Sequence, residues 1–327
     1  MAGIDAKKGR GFLERVEAIC YSGYREGQSP VTQKYPSEAQ VLEDLKLLAP
    51  RFRHLRMYDC SPHVQMTLAL IKKHKLPFKV MIGAYLAAES SNPKCPWGGV
   101  YPDDVLDRNR QENQEQLAAA IRLANQYPDV VSSVSAGNEA TVEWTDHLVP
   151  TEHVIQYVRT LKAGVKQPVT FCENYVPWQS HLAPLAAEVD FISLHTYPQW
   201  EQKGLDAALA YTEENYDSVA KKYPGKKVVI TEAGWATRSS GRGIPPENAN
   251  EALQKQYIEA LTAWSVKRGI LTFVFEAFDE PWKGSDHPDE PEKHWGLYFV
   301  DRKPKPVLRG RGSPGEGGSH APGPEPG

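Results

Sequence analysis

Of the strand-like runs in this chain that carry a glutamate near their end, two stand out. VSSVSAGNE (131–139) finishes on Glu139, and KVVITEAGW (227–235) places Glu232 after a run of branched residues suited to a pleated surface and just before a glycine. Either carboxylate taken alone reads more simply as the point where a strand or loop reaches solvent. Two of them brought face to face have a specific use, the hydrolysis of a glycosidic bond. One carboxyl protonates the departing oxygen while the other attacks the anomeric carbon, a retaining mechanism that needs a separation of about 5 to 5.5 Å.

The elements that must hold such a pair can be read along the chain. Eight strand candidates follow one another: VEAICYSG (16–23), HLRMYD (54–59), KVMIGAYL (79–86), VSSVSAGNE, PVTFCENY (168–175), FISLHTY (191–197), KVVITEAGW and ILTFVFEAF (270–278). Between them apolar residues recur at helical spacing, as in Val41, Leu45 and Leu48, or Leu253, Tyr257, Leu261 and Trp264. Strand then helix, repeated, predicts parallel pairing with helices outside. The turn after the first strand, YSGYREGQSP, lacks the glycine pattern of an open dinucleotide-binding sheet. The count therefore predicts a single-domain α/β protein, a closed (β/α)8 TIM barrel over 16–308. Residues 1–15 form an extension, and 309–327 a Gly/Pro-rich tail too poor in apolar residues to order itself. The eighth helix is expected to be short or missing.

In such a barrel the C-terminal strand ends form the working face. Here they carry Arg56, Tyr58, Asp59, Asn138, Glu139, Glu173, His195, Tyr197, Glu232, Trp235, Glu276 and Glu280. An ion pair inside the barrel would explain any one of them; convergence from separate strands points to a site, with Glu139 and Glu232 facing each other across the mouth. Trp235 is expected to offer a flat face to a sugar ring, and Trp144, Trp178 and Trp295 are further loop or strand-end tryptophans expected to stack on sugars, Trp144 alternatively only pinning its long loop.

The motifs SAGNEA around Glu139, ITEAGW around Glu232, LRMYD on the second strand, and FEAFDEPWKG followed by EKHWGL in 275–297 resemble those of glycoside hydrolase family 17, the β-1,3-glucan-active barrels, over roughly 16–305. The resemblance implies that Glu139 is the general acid/base and Glu232 the nucleophile. It also implies that Asn138 bonds the sugar 2-hydroxyl and that Tyr197 helps keep Glu232 ionised. Glu280, Lys283 and Glu292 would then form a polar cluster beside the nucleophile. The implied activity is retaining cleavage of β-1,3-glucan. Transfer of the glucosyl group to another glucan is the alternative, and a non-catalytic glucan-binding barrel a lesser one.

Other classes are excluded on bulk grounds. A formal charge of −3 over 327 residues gives no field for nucleic acid or an anionic membrane, so the expected partner is a neutral glucan and the expected state a monomer. The cysteines, Cys20, Cys60, Cys95 and Cys172, show no paired spacing. Among ten histidines none forms an H-E-x-x-H motif, and His147 and His153 stand six apart, so neither a metal nor a cofactor is expected. No apolar run of signal-peptide length opens the chain. The location expected from that is cytoplasmic, or extracellular or periplasmic if a leader has been removed.

Overall fold

The computed structural model of the chain describes residues 17–309. The predicted extension and, apart from Arg309, the predicted tail lie outside the described residues. Eight parallel strands close on themselves in sequence order: β1 (Ala18–Cys20), β2 (His54–Arg56), β3 (Lys79–Gly83), β4 (Val131–Asn138), β5 (Val169–Asn174), β6 (Ile192–His195), β7 (Val228–Gly234) and β8 (Thr272–Phe275), with β8 pairing back onto β1. The barrel expected from the strand count is the barrel observed. Each strand is shorter than the run that predicts it. The trailing residues leave the ladder and carry Tyr58, Asp59, Glu139, Tyr197 and Glu276, while Arg56, Asn138, Glu173, His195 and Glu232 remain within the strands.

Around the barrel lie α1 (Glu38–Leu48), α2 (Pro62–Lys73), α3 (Asp103–Gln126), α4 (Thr151–Gly164), the short α5 (Tyr175–Ser180) and α6 (Ala183–Glu188), α7 (Leu205–Lys222) and α8 (Glu251–Arg268). Their ends are written in the sequence. Ser37 and Gln40 form a reciprocal capping box on α1, Asn250 caps α8 through the Leu253 N–H, and Gly269 ends α8 in the left-handed region at φ +66°. The apolar faces pack Val41, Leu45, Leu117, Val158 and Leu261 against outward residues of the strands such as Ile19, Leu55, Val134 and Ile230, forming one continuous layer. A smaller cluster fills the barrel interior, with Cys20, Met81, Cys172, Val229, Phe273, Phe275 and Trp295.

After β8 the described residues form only 3-10 turns, Pro291–Lys293 and Pro306–Leu308, so the helix that would follow the eighth strand is absent there, as expected. Ion pairs take over its closing role. Arg302 donates to both carboxylate oxygens of buried Asp44 on α1 at 2.8 Å and to the Gly23 carbonyl at 2.8 Å. Lys305, fully buried, reaches Asp279 at 2.7 Å. Among the described residues no helix is long and apolar enough to cross a membrane.

Candidate active site

The C-terminal ends of β4 and β7 bring the two glutamates together. Glu139 follows β4 directly and sits in the left-handed region at φ +45°, with its N–H donating to the Cys172 carbonyl on β5 at 2.9 Å. A non-glycine residue held there stores about 1–3 kcal/mol of strain, a cost that neighbours must offset and one that collects at functional sites. Glu173 supplies the offset. Fully buried, it accepts the Thr141 N–H at 2.9 Å, the Thr141 hydroxyl at 2.7 Å and the Asn174 N–H at 2.7 Å, fixing the chain just past Glu139. Burial and the neighbouring Glu139 raise the Glu173 pKa to about 7.

Glu232 lies at the inward end of β7. Gly234, two residues on, is required by close approach: a Cβ there would stand 2.1 Å from the Phe275 carbonyl oxygen on β8. The Glu232 carboxylate accepts from the Arg56 guanidinium on one oxygen and from the Tyr197 hydroxyl on the other, while the His195 Nδ1 stands 3.7 Å away. Burial alone would raise its pKa. The positive charges of His195 and Arg56 and the hydrogen bonds from Tyr197 and Arg56 outweigh that and hold it down to about 2. Arg56 is itself buried, donates its other arm to the Asn138 side-chain oxygen, and lies 4.4 Å over the Tyr58 ring. This leaves the Asn138 NH2 as a donor beside the pair.

His195 joins the two carboxylates. Fully buried at the end of β6, it bonds Glu139 through Nδ1 at 2.8 Å. Burial disfavours its charged form, but the Glu232 field and its bonds to Cys172 and Glu139 lift its pKa to about 10. The Cys172 thiol, beside Arg56 and His195, falls to about 7 against the effect of burial. One donor atom from each of Glu139, His195 and Glu232 lies within 4.8 Å of the other two. That spacing could hold a cation, yet both Glu232 oxygens already receive donors and two positive side chains would oppose it.

The block after β8 forms a second charged layer. Lys283 donates to Glu276 at 2.9 and 3.0 Å and stands 2.9 Å from Glu280. Burial and Glu280 push the Glu276 carboxyl well above its usual value. Burial raises Glu292 to about 7 despite the opposing Lys283, with the charges of Glu139 and Glu232 adding to the rise.

The aromatic expectations need correction. Trp235, Trp178 and Trp295 are each 0% exposed and offer no face to a sugar. Trp235 points outward from β7, packs on Tyr257 and donates to the Asn248 carbonyl at 2.9 Å. Trp178 belongs to the same outer layer, with its N–H on the Ser193 carbonyl at 2.9 Å. Trp295 fills the barrel interior behind Tyr197, ring centroids 5.1 Å apart, and so backs the side chain that bonds Glu232. Asp59 accepts the Ser61 N–H at 3.0 Å and shapes the turn ahead of α2. Trp144 remains exposed on the loop between β4 and α4.

The chain also resembles known proteins in sequence and in fold. A model of the BtgE/BtgC glycoside hydrolase domain matches residues 18–296. A probable glucan endo-1,3-beta-glucosidase of Aspergillus clavatus is 24% identical over 307 residues, covering 86% of this chain and 41% of its own length. A glucan 1,3-beta-glucosidase of Arthroderma benhamiae is 26% identical over 223 residues, 63% of this chain and 69% of that protein. The chain thus spans less than half the length of the Aspergillus relative. Among solved structures, an endo-laminarinase from Formosa Hel1_33_131 superposes with a TM-score of 0.78 at 26% identity, over 89% of this chain and 85% of that one. A Rhizomucor miehei beta-1,3-glucanosyltransferase mutant, in complex with laminaritriose, shares the fold at a TM-score of 0.69 and 20% identity, over 90% of this chain and 96% of that one. With the closed barrel, the paired glutamates and a family match running from β1 through the charged block after β8, the chain belongs to the BtgE/BtgC glycoside hydrolase domain family.

Proposed function

We propose that this chain is a retaining glycosidase of β-1,3-glucans, with Glu232 as nucleophile and Glu139 as general acid/base. The observation that carries the reading is the placement of a Glu139 oxygen within 4.8 Å of a Glu232 oxygen. That bound falls on the side of the close spacing, about 5–5.5 Å, of a double displacement and below the about 6.5–9.5 Å of an inverting pair with a water between its carboxyls.

The roles follow from the surroundings. Glu232, kept ionised by Arg56, Tyr197 and His195, attacks the anomeric carbon and forms a glucosyl ester. The Glu139 side chain is 28% exposed against 7% for Glu232, and so can reach the departing glycosidic oxygen and give it a proton. In the second step Glu139 takes a proton from water as that water releases the sugar from Glu232. Asn138, its oxygen held by Arg56, has its NH2 group free to bond the 2-hydroxyl.

Hydrolysis ranks ahead of transfer because Trp178, one of the tryptophans expected to stack on sugars, is buried and offers no face to an acceptor glucan. The test is NMR of the first product released from a laminari-oligosaccharide. The expected anomer is β, and cleavage should vanish in Glu232→Gln. An initial α anomer, or no cleavage by the wild type, overturns the proposal.

A further inference from the structure

Among the described residues, Trp97 is a large exposed apolar side chain tied to the opposite wall of the barrel mouth. It is 55% exposed on the loop between β3 and α3, while Arg242 stands on the loop between β7 and α8. In an eight-stranded ring β3 and β7 are diametrically opposite, yet the Arg242 guanidinium lies 5.9 Å from the Trp97 ring centroid. The contact therefore crosses the face that carries Glu139 and Glu232.

Both footings are built. Behind Trp97, the buried Asn92 side chain donates to the Glu143 and Thr145 carbonyls at 2.8 and 2.7 Å, binding this loop to the one that begins at Glu139. Behind Arg242, Glu290 is 1% exposed, pairs with the guanidinium at 3.3 Å and accepts the Ser285 hydroxyl at 2.6 Å. Gly243 lies against Trp200, where a Cβ would stand 2.6 Å from the indole. The join itself is weak, since an exposed cation–π pair is easily broken. Firm footings with a weak join describe a clasp that a better partner for the indole can open.

We propose that Trp97 is a glucosyl-binding platform away from the reacting pair, capped by Arg242 in the free enzyme, and that this clasp sets how long a glucan the cleft engages. The C–H face of a glucose ring takes the place of the guanidinium on the indole, and Arg242 falls back on Glu290. The inference rests on the reading of the mouth as a glucan site, and neither side chain belongs to the reacting machinery.

The test compares kcat/KM on laminaritriose and laminarihexaose for wild type, Trp97→Ala, Trp97→Phe and Arg242→Ala, with thermal unfolding as a check on folding. Trp97→Ala should lower the hexaose-to-triose ratio about tenfold, through KM, as expected for one lost aromatic contact, and Trp97→Phe should restore part of it. Arg242→Ala should lower KM for the hexaose several-fold and leave the triose unchanged. An unchanged ratio in Trp97→Ala, or an equal loss on both substrates, overturns the platform. An unchanged hexaose KM in Arg242→Ala overturns the capping. Wild type inactive on both sugars rejects the proposed function itself, a result distinct from either.

Discussion

Replacing Arg56 by methionine keeps most of the buried volume and removes the charge that spans Glu232 and Asn138. Glu232 is 6% exposed and, once Arg56 is gone, has two courses. It can remain ionised, in which case breaking a buried pair costs about 3–5 kcal/mol. Or it can take up a proton. From an ordinary carboxyl value near 4.5, neutralisation at pH 7 costs 2.5 × 1.36, about 3.4 kcal/mol. The cheaper course sets the limit, so destabilisation at neutral pH should settle near 3 kcal/mol, with a growing share of the protein carrying a neutral Glu232 unable to attack.

Two assays follow that change. A group whose folded pKa is depressed contributes stability that is present above its unfolded value and lost as pH falls through the folded one. In the wild type that window runs from about 4.5 down to about 2. Arg56→Met should lose a large share of that acid-dependent stability, His195 and Tyr197 keeping the rest. In the pH profile of kcat/KM, its acid limb should move toward neutrality by one or two pH values, with the plateau about 100-fold lower or more. A folded Arg56→Met protein whose acid limb coincides with that of the wild type would refute the view that Arg56 keeps Glu232 ionised.

His195→Asn should cut kcat about 10- to 100-fold with a smaller effect on KM, because a charged group shared by both glutamates is lost. The same variant should lose an alkaline feature. The His195 pKa is raised to about 10, so its contribution is complete below about 6.5 and disappears as pH climbs through 10. Thermal melts between pH 6 and 10 should show that decline in wild type and not in His195→Asn; parallel declines would contradict it. Trp235→Phe should lower stability by about 1–3 kcal/mol through lost packing and the lost bond to Asn248, with the glucan KM unchanged. A raised KM at unaltered stability would return Trp235 to the sugar site.

What could be read from the sequence depended on which physical signal each residue obeys. The eight strands were legible because branched apolar runs alternate with helical periods, and Glu139, Asn138, Glu232 and Tyr197 because they sit at strand ends, where a barrel puts its working face. Trp235 was misplaced although the signal that places it was available. Side chains alternate along a strand, so a residue three beyond inward Glu232 faces the helices. Trp178 lies on a one-and-a-half-turn helix with no periodicity to orient it, and burial of its indole depends on Phe171 and Tyr223 from distant segments. His195 and Glu173 were visible as strand-end residues, but their bonds to Glu139 and Thr141 depend on register between neighbouring strands. The Trp97–Arg242 contact joins residues 145 positions apart through two loops, which no local pattern reveals.

The pairing of Glu139 with Glu232 across one glycosidic bond is tested most directly by trapping the covalent intermediate. A 2-deoxy-2-fluoro laminaribiosyl fluoride slows both steps and leaves a good leaving group, so the sugar should accumulate as an ester on the nucleophile. Peptide mapping by mass spectrometry should find it on Glu232, within VVITEAGWAT (228–237), in both wild type and Glu139→Ala. A label on Glu139 or on any other residue, or turnover of unmodified glucan by Glu232→Ala at the wild-type rate, would contradict the account.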